Sequence, residues 1–264
     1  MILDGSCTAL VTGANGGIGA AIARAIHATG ATVLLSARRA DAIEPLAKEL
    51  GARVILADLG DRDSVARLAD DASAADVVVA NAALPASGPA LGFSVEQIDR
   101  ALDVNLRANM ILGRVLAEHM TARGRGQLVF ISSIAGKVAA RYSAIYSATK
   151  FGMRGFALGL REDLAGSGVG VTTIYPGFIR DAGMFAETKV ELPKGIGTRT
   201  PEDVARAVLR AVDKNPAEIS VAAFEQRFAA ILGSVAPGAL SSMQKLFGAD
   251  KVGDQMAAAQ TKRH

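Results

Sequence analysis

The run Cys7-Thr8-Ala9-Leu10-Val11-Thr12-Gly13-Ala14-Asn15-Gly16-Gly17-Ile18-Gly19 carries a mainly apolar stretch straight into a glycine-rich turn, and then into Ile18, Ile22 and Ile26 spaced four apart. An extended apolar segment, a tight turn and an amphipathic helix make the opening unit of a doubly wound α/β fold. Glycine suits such a turn for three reasons: positive φ, close approach of a pyrophosphate to the backbone, and tight packing of helix on strand. Amides at the start of the helix then face the anion, aided by the helix macrodipole. The turn reads as a dinucleotide cradle built from Gly13, Asn15, Gly17, Ile18 and Gly19.

Outward from this turn the chain alternates short β-rich runs with helical ones. Cys7–Thr12, Ala31–Ala37, Arg53–Ala57, Asp76–Ala80, Gln127–Ser132, Gly170–Tyr175 and Glu218–Val221 are the expected strands. Most are continuously apolar, as parallel strands covered on both faces are. Helical spacing marks Ile18–Thr29, Asp61–Asp71 and Ile98–Met120. Strand–helix–strand repetition implies right-handed crossovers and an α/β, doubly wound parallel sheet with helices on both faces. Two stretches break the rhythm. Residues 178–198 form a long connection with Phe178, Met184, Phe185, Gly195 and Gly197, which reads as a substrate lid hinged at its glycines. Residues 222–264 form a helical extension with the stripes Phe228, Ile231, Leu232, Val235 and Leu240, Met243, Phe247. Packing on the chain's own domain is the expectation for these stripes, with covering the substrate cleft, packing in an oligomer or lying on a membrane surface as the lesser readings.

Composition narrows the function. The 264 residues are 50% apolar and 21% charged, which fits one globular domain and excludes a disordered or fibrous chain. The 29 basic residues are scattered among 26 acids, so nucleic acid is not an expected partner. Cys7 stands alone, which argues for a reducing compartment and against disulfides or a metal cluster. No apolar run is of membrane-spanning length, and Asp4 and Gly5 interrupt the start where a signal peptide would lie. The expectation is a soluble, cytoplasmic protein without a metal.

The end of the second strand chooses the dinucleotide. An acid about 20 residues after the glycines would suit NAD. Leu35-Ser36-Ala37-Arg38-Arg39 offers two guanidinium groups instead, suited to a 2′-phosphate, so NADP(H) is expected rather than NAD. Further on, Tyr146-Ser147-Ala148-Thr149-Lys150 puts a phenol and an ammonium on one helix face. A phenol near pKa ~10 with a cation beside it is equipped for acid/base work on an alcohol or carbonyl oxygen. The pair alone is a common accident. Requiring also Ser133, at the end of a strand, cuts the chance to under roughly 1%.

Taken in order and spacing, Thr12-Gly13-x-x-x-Gly17-x-Gly19, Asn81-Ala82-Ala83, Asn105, Ser133, Tyr146-x-x-x-Lys150 and Pro176-Gly177 resemble the short-chain dehydrogenase/reductases over roughly Ser6 to Val221. The resemblance implies a seven-stranded sheet in the order 3-2-1-4-5-6-7 and hydride transfer with a nicotinamide cofactor. It casts Tyr146 as acid/base and Ser133 as the group orienting the substrate oxygen. Lys150 would hold the nicotinamide ribose and lower the tyrosine pKa, and Asn105 would hold a water leading to solvent. It also assigns Asp58 and Leu59 to adenine, Asn81 and Ala82 to the adenosine ribose, and Pro176, Gly177 and Ile179 to the nicotinamide side. Singly, Asn105 could instead bond a neighbouring backbone, and Asp58 could cap the next helix. Ala83 replaces the usual glycine, and Asp181 stands where relatives carry a threonine donor. Either Arg180 neutralises Asp181 or the loop is differently arranged. The resemblance further implies a homodimer or homotetramer. The expected function is that of an oxidoreductase on a lipophilic alcohol or carbonyl; the alternative is a catalytically silent dinucleotide sensor or scaffold.

Overall fold

A computed structural model of the chain describes residues 1–188, 190, 192, 196–236 and 238. The elements run β1 (Thr8–Thr12), α1 (Gly17–His27), β2 (Thr32–Ala37), α2 (Ala40–Leu50), β3 (Arg53–Leu56), α3 (Arg62–Asp71) and β4 (Val77–Ala80). They continue with α4 (Val95–Leu102), α5 (Ala108–Arg123), β5 (Gly126–Ile131), α6 (Ala144–Asp163), β6 (Val169–Pro176) and α7 (Gly183–Thr188), then α8 (Pro201–Lys214), β7 (Glu218–Val221) and α9 (Phe224–Val235). The seven strands form one parallel sheet in the order β3-β2-β1-β4-β5-β6-β7. Every strand expected from sequence is present within a residue or two of its expected ends.

Strand side chains alternate between faces, and each face has its own apolar layer. Val11, Val79 and Val129 pack with Ile22 and Ile26 of α1 and with Val204 and Val208 of α8. Their neighbours Leu10, Val78 and Leu128 point the other way, onto Leu68 of α3, Leu112 and Leu116 of α5 and Met153 of α6. Burial on both faces explains why the strands read as unbroken apolar runs.

The chain winds outward from β1 to β3, then restarts at β4 on the other side of β1. That reversal opens a crevice at the carboxyl ends of β1 and β4, where doubly wound sheets bind ligands. The long helix expected over Ile98–Met120 starts earlier, at Val95, and is interrupted by a π-helical turn, Asp103–Arg107, between α4 and α5. Such turns mark functional positions in helices, and this one carries Asn105.

In α9 the aromatic stripe faces outward. Phe224, Phe228, Ile231 and Val235 are exposed among the described residues, while Gln226 and Ala230 point in. Packing of that stripe on its own domain is therefore not what the described residues show. The second stripe, Leu240, Met243 and Phe247, lies outside the described residues, as does Gly195. No described helix is long and apolar enough to cross a membrane.

Candidate active site

At the cradle, Gly13 adopts φ +62, and a Cβ there would stand 2.8 Å from the Cα of Ala82. The turn and the exit of β4 thus touch backbone to backbone. Thr12 stitches them together: its Oγ1 accepts from the amides of Asn81 at 3.0 Å and Ala82 at 3.1 Å, and Asn81 Nδ2 donates to the carbonyls of Thr12 and Gly13. Asn15 is exposed on the turn, and Gly17, Ile18 and Gly19 form the first turn of α1. That helix has no side-chain cap and no acid in its first turn. Uncapped amides at a helix start, beside a turn with no room for side chains, fit a pyrophosphate.

Arg38 and Arg39 follow β2 directly and are exposed, Arg39 meeting Asp41 at 3.6 Å. Asp58 does not cap the next helix; Asp61 does, accepting from Ser64 N at 2.6 Å. The Asp58 carboxylate instead accepts from Gly60 N at 2.8 Å and pairs with Arg100 of α4 at 3.2 Å. Burial raises its pKa, but the Gly60 amide and the Arg100 guanidinium outweigh that and hold the carboxyl below the ordinary range. Leu59 beside it is buried. Arg100 was invisible to sequence reading, since its partner lies 42 residues away.

The catalytic candidates meet where β5, α6 and the π turn converge. Ser133 follows β5, its Oγ accepting from Ala135 N at 3.2 Å, and its hydroxyl stands close enough to the Tyr146 phenol to draw that group's pKa down. One turn along α6, Lys150 is 1% exposed and donates from Nζ to the carbonyl of Ile131 at 3.0 Å. Ser132 Oγ donates to the Lys150 carbonyl at 3.2 Å, tying the strand end to the helix. Burial pushes Tyr146 up to about 12, with the Ser133 hydroxyl pulling the other way, and burial pushes Lys150 down to about 8. No lowering by Lys150 enters here, burial being the dominant influence on the phenol. The ammonium sits 5.7 Å from the ring centroid, is held by a carbonyl, and is itself strained by desolvation.

Asn105 is fully buried and spends its side chain on one neighbour. Its Oδ1 accepts from Leu84 N at 2.6 Å and its Nδ2 donates to Leu84 O at 3.0 Å. That clamps the segment leaving β4. The side chain therefore bonds a backbone, and only its main-chain carbonyl, which accepts from Asn109 Nδ2 at 3.0 Å, is left to face other groups.

On the far wall, Pro176 ends β6 and Ile179 is 3% exposed. The rings of Phe178 and Phe185 lie 4.8 Å apart, giving the loop an apolar surface. Both alternatives for Asp181 hold in part: Arg180 Nε stands 3.4 Å from its carboxylate, and the residue adopts φ +70. The loop then lies over the cradle, so closely that a Cβ on Gly17 would stand 2.2 Å from that of Ala182. Gly197, expected as a hinge, is held at both ends: its amide donates to Glu225 Oε1 at 2.6 Å and its carbonyl accepts from Gln226 Nε2 at 2.7 Å.

A second polar cluster stands behind the site. Glu218 of β7 pairs with Lys137 at 2.8 Å and Arg154 at 2.7 Å, and accepts from the Tyr175 hydroxyl at 2.7 Å. Burial raises its pKa, yet these three donors bring it down to about 2. Among the described residues no three His, Cys, Asp or Glu side chains gather as a metal site would require.

A parallel sheet of this order, with a glycine cradle at its switch point and a serine, phenol and amine beside it, defines a dinucleotide-linked oxidoreductase class. The sequence profile of the short chain dehydrogenase family matches residues 7–192, and the chain belongs to that family. It is similar to the ketoacyl reductase HetN of Nostoc sp., 33% identical over 223 residues, covering 81% of this chain and 78% of that protein. The 3-oxoacyl-[acyl-carrier-protein] reductase FabG of Rickettsia conorii is 34% identical over 210 residues, covering 76% and 87%. A short-chain dehydrogenase of Sphingobium yanoikuyae, solved in complex with NADPH, superposes with a TM-score of 0.76 at 26% identity, covering 89% of this chain and 95% of that one.

Proposed function

We propose that this oxidoreductase transfers hydride between NADP(H) and a secondary alcohol or its carbonyl, with Tyr146 as the acid/base. The observation that carries the reading is the buried Lys150 ammonium, 5.7 Å from the Tyr146 ring centroid and held by the Ile131 carbonyl at the end of β5, with Ser133 leaving the same strand end. Asn105, Ser133, Tyr146 and Lys150 form the reacting side. Gly13, Asn15, Gly17, Ile18 and Gly19 cradle the pyrophosphate, and Arg38 and Arg39 take the 2′-phosphate. Asp58, Leu59, Asn81 and Ala82 border the adenosine, and Pro176, Gly177 and Ile179 the nicotinamide.

The bound dinucleotide supplies the hydride. Ser133 donates a hydrogen bond to the substrate oxygen and Tyr146 gives that oxygen its proton as negative charge develops there. With its pKa near 12, Tyr146 is protonated throughout the physiological range, which suits the reducing direction. Lys150, near 8 and one helix turn from Tyr146, exchanges protons readily at neutral pH and is the nearest cationic group to the phenol. The Phe178–Phe185 surface favours a lipophilic carbonyl, and the two ketoacyl reductase relatives single out 3-oxoacyl thioesters as the first class to try. Leu102 of α4, Met110 of α5 and Phe151 of α6 are exposed apolar residues on the helices flanking β5, which supports a homodimer through that face.

The test is NADPH oxidation across 3-oxoacyl thioesters, ketones, quinones and aldehydes. Turnover of at least one class supports the reading. Binding of NADPH without any turnover favours a sensor. In the active case Tyr146→Phe is expected to lower turnover by at least about 10³-fold while NADPH affinity stays within about twofold.

A further inference from the structure

The first helix of the C-terminal extension reaches into the site wall. Gln226 of α9 is 9% exposed and bonds both stems of the long loop at once. Its Oε1 accepts from Phe178 N at 3.1 Å, and its Nε2 donates to Gly197 O at 2.7 Å. Glu225 holds the same glycine from the other side, accepting from Gly197 N at 2.6 Å. Between the stems runs a short parallel bridge, Ile179 with Arg199, in which Arg199 N donates to Phe178 O and Arg180 N to Arg199 O, each at 2.9 Å. The first stem is therefore fixed on two sides, by the bridge and by the amide of Gln226.

The same side chain explains the glycine of the Pro176-Gly177 pair. A Cβ on Gly177 would stand 2.0 Å from Gln226 Oε1 and 2.8 Å from the Ala222 Cβ. Gly177 itself is anchored by its amide to Val221 O at 2.9 Å. The backbone from Gly177 to Ile179 thus lies directly against the start of α9, with the Gln226 carboxamide filling the space a side chain would occupy.

We propose that Gln226 is a positioning residue for the nicotinamide end of the cofactor, setting the height of the Phe178–Ile179 backbone through its paired hydrogen bonds to the two loop stems. This rests on the assignment of Ile179 to the nicotinamide carboxamide made above. Gln226 touches neither substrate nor cofactor. Its effect is expected to fall mainly on the nicotinamide end of the dinucleotide, because its two hydrogen bonds go to Phe178 and Gly197 at the loop stems, whereas the loop reaches the cradle only further along, at Ala182.

That asymmetry supplies the test. Gln226→Met keeps the side chain's length and removes both hydrogen bonds. Its affinity for NADPH is compared with its affinity for adenosine 2′,5′-bisphosphate, which carries the adenosine end without nicotinamide. The expected result is NADPH binding weakened about tenfold and bisphosphate binding within about twofold of wild type. Gln226→Asn, whose shorter amide reaches one stem only, is expected to give a smaller loss of the same one-sided kind, and it carries the test should Gln226→Met fail to fold. Equal weakening of both compounds, or no change in either, overturns the proposal. Wild-type protein that binds neither compound overturns the cofactor assignment as well, whereas wild-type binding of both with an unaltered Gln226→Met contradicts the role of Gln226 alone.

Discussion

Two charged clusters flank the carboxyl half of the sheet, one partly buried around Glu218 and one fully buried around Lys150, and they are built on opposite rules. Around Glu218 every charge is answered: Lys137 and Arg154 meet the carboxylate, and Tyr175 donates to it. Lys150, buried more deeply, has a carbonyl and an aromatic face instead of a carboxylate. The pKa directions record the difference. Pairing pulls Glu218 down to about 2 despite its burial, whereas desolvation pulls Lys150 down to about 8 and pushes Tyr146 up to about 12. A satisfied cluster stabilises the fold. One left with its charge in low dielectric costs stability and, on the proposed function, is kept for chemistry.

If charge that is not tied into the fold marks function, Arg38 and Arg39, exposed after β2 with only the loose Arg39–Asp41 pair, should behave like Lys150 rather than like Arg154. Replacing Arg38 and Arg39 together with alanine is expected to weaken NADPH binding about 30-fold and to leave NADH binding within about threefold, read by fluorescence titration of both. Stability should change by less than about 0.5 kcal/mol, since both side chains are exposed. A parallel loss for both dinucleotides would place the two groups away from the 2′-phosphate.

The paired cluster should show the reverse profile. Glu218→Gln is expected to cost about 2 kcal/mol, or roughly 2–4 °C in midpoint, with turnover at 25 °C changed by less than about threefold. The pH signature has a definite sign. Because the folded pKa of about 2 lies below the ordinary 4.5, the native state binds fewer protons in that window. The contribution is complete above about pH 4.5 and is lost as pH falls toward 2. The stability difference between wild type and Glu218→Gln should therefore shrink on acidification, as urea melts at a series of pH values will show.

A smaller effect is expected at the loop. Asp181 shares an exposed pair with Arg180, worth little in water. Its φ of +70 is one that asparagine tolerates. Asp181→Asn should leave stability within about 0.5 kcal/mol and tighten NADPH two- to threefold by removing a carboxylate near the phosphates, an effect that fades in high salt.

The sheet was legible because continuous apolar strands and glycine-rich connections leave a strong local pattern, and so were Ser133, Tyr146 and Lys150, which follow one another within a strand end and a helix turn. Helix α8 was missed although Thr200-Pro201-Glu202-Asp203 spells its capping box, with Thr200 Oγ1 accepting from Asp203 N. Other features have no local signature. The π turn around Asn105 keeps the apolar spacing of an ordinary helix. Arg100 meets Asp58 across 42 residues, Gln226 meets Phe178 across 48, and Arg154 meets Glu218 across 64. Such pairs exist only once the sheet has folded, and no periodicity announces them. The upward direction of the tyrosine pKa has no local signature either: spacing places a cation near the phenol but carries no information about burial.

The most direct measurement is the urea midpoint of Lys150→Met at pH 7, taken beside its turnover. At that pH wild-type Lys150 is charged and buried, and its descent from 10.5 to about 8 corresponds to a penalty of about 3 kcal/mol, complete below pH 8 and relieved as pH rises toward 10.5. Methionine removes the penalty and leaves the Ile131 carbonyl without its donor, a loss of about 1 kcal/mol. The expected result is a protein more stable by about 1–2 kcal/mol with turnover reduced at least about 10²-fold. A lower midpoint, or turnover that survives the change, would contradict the assignment of Lys150 as a charge held in place for catalysis.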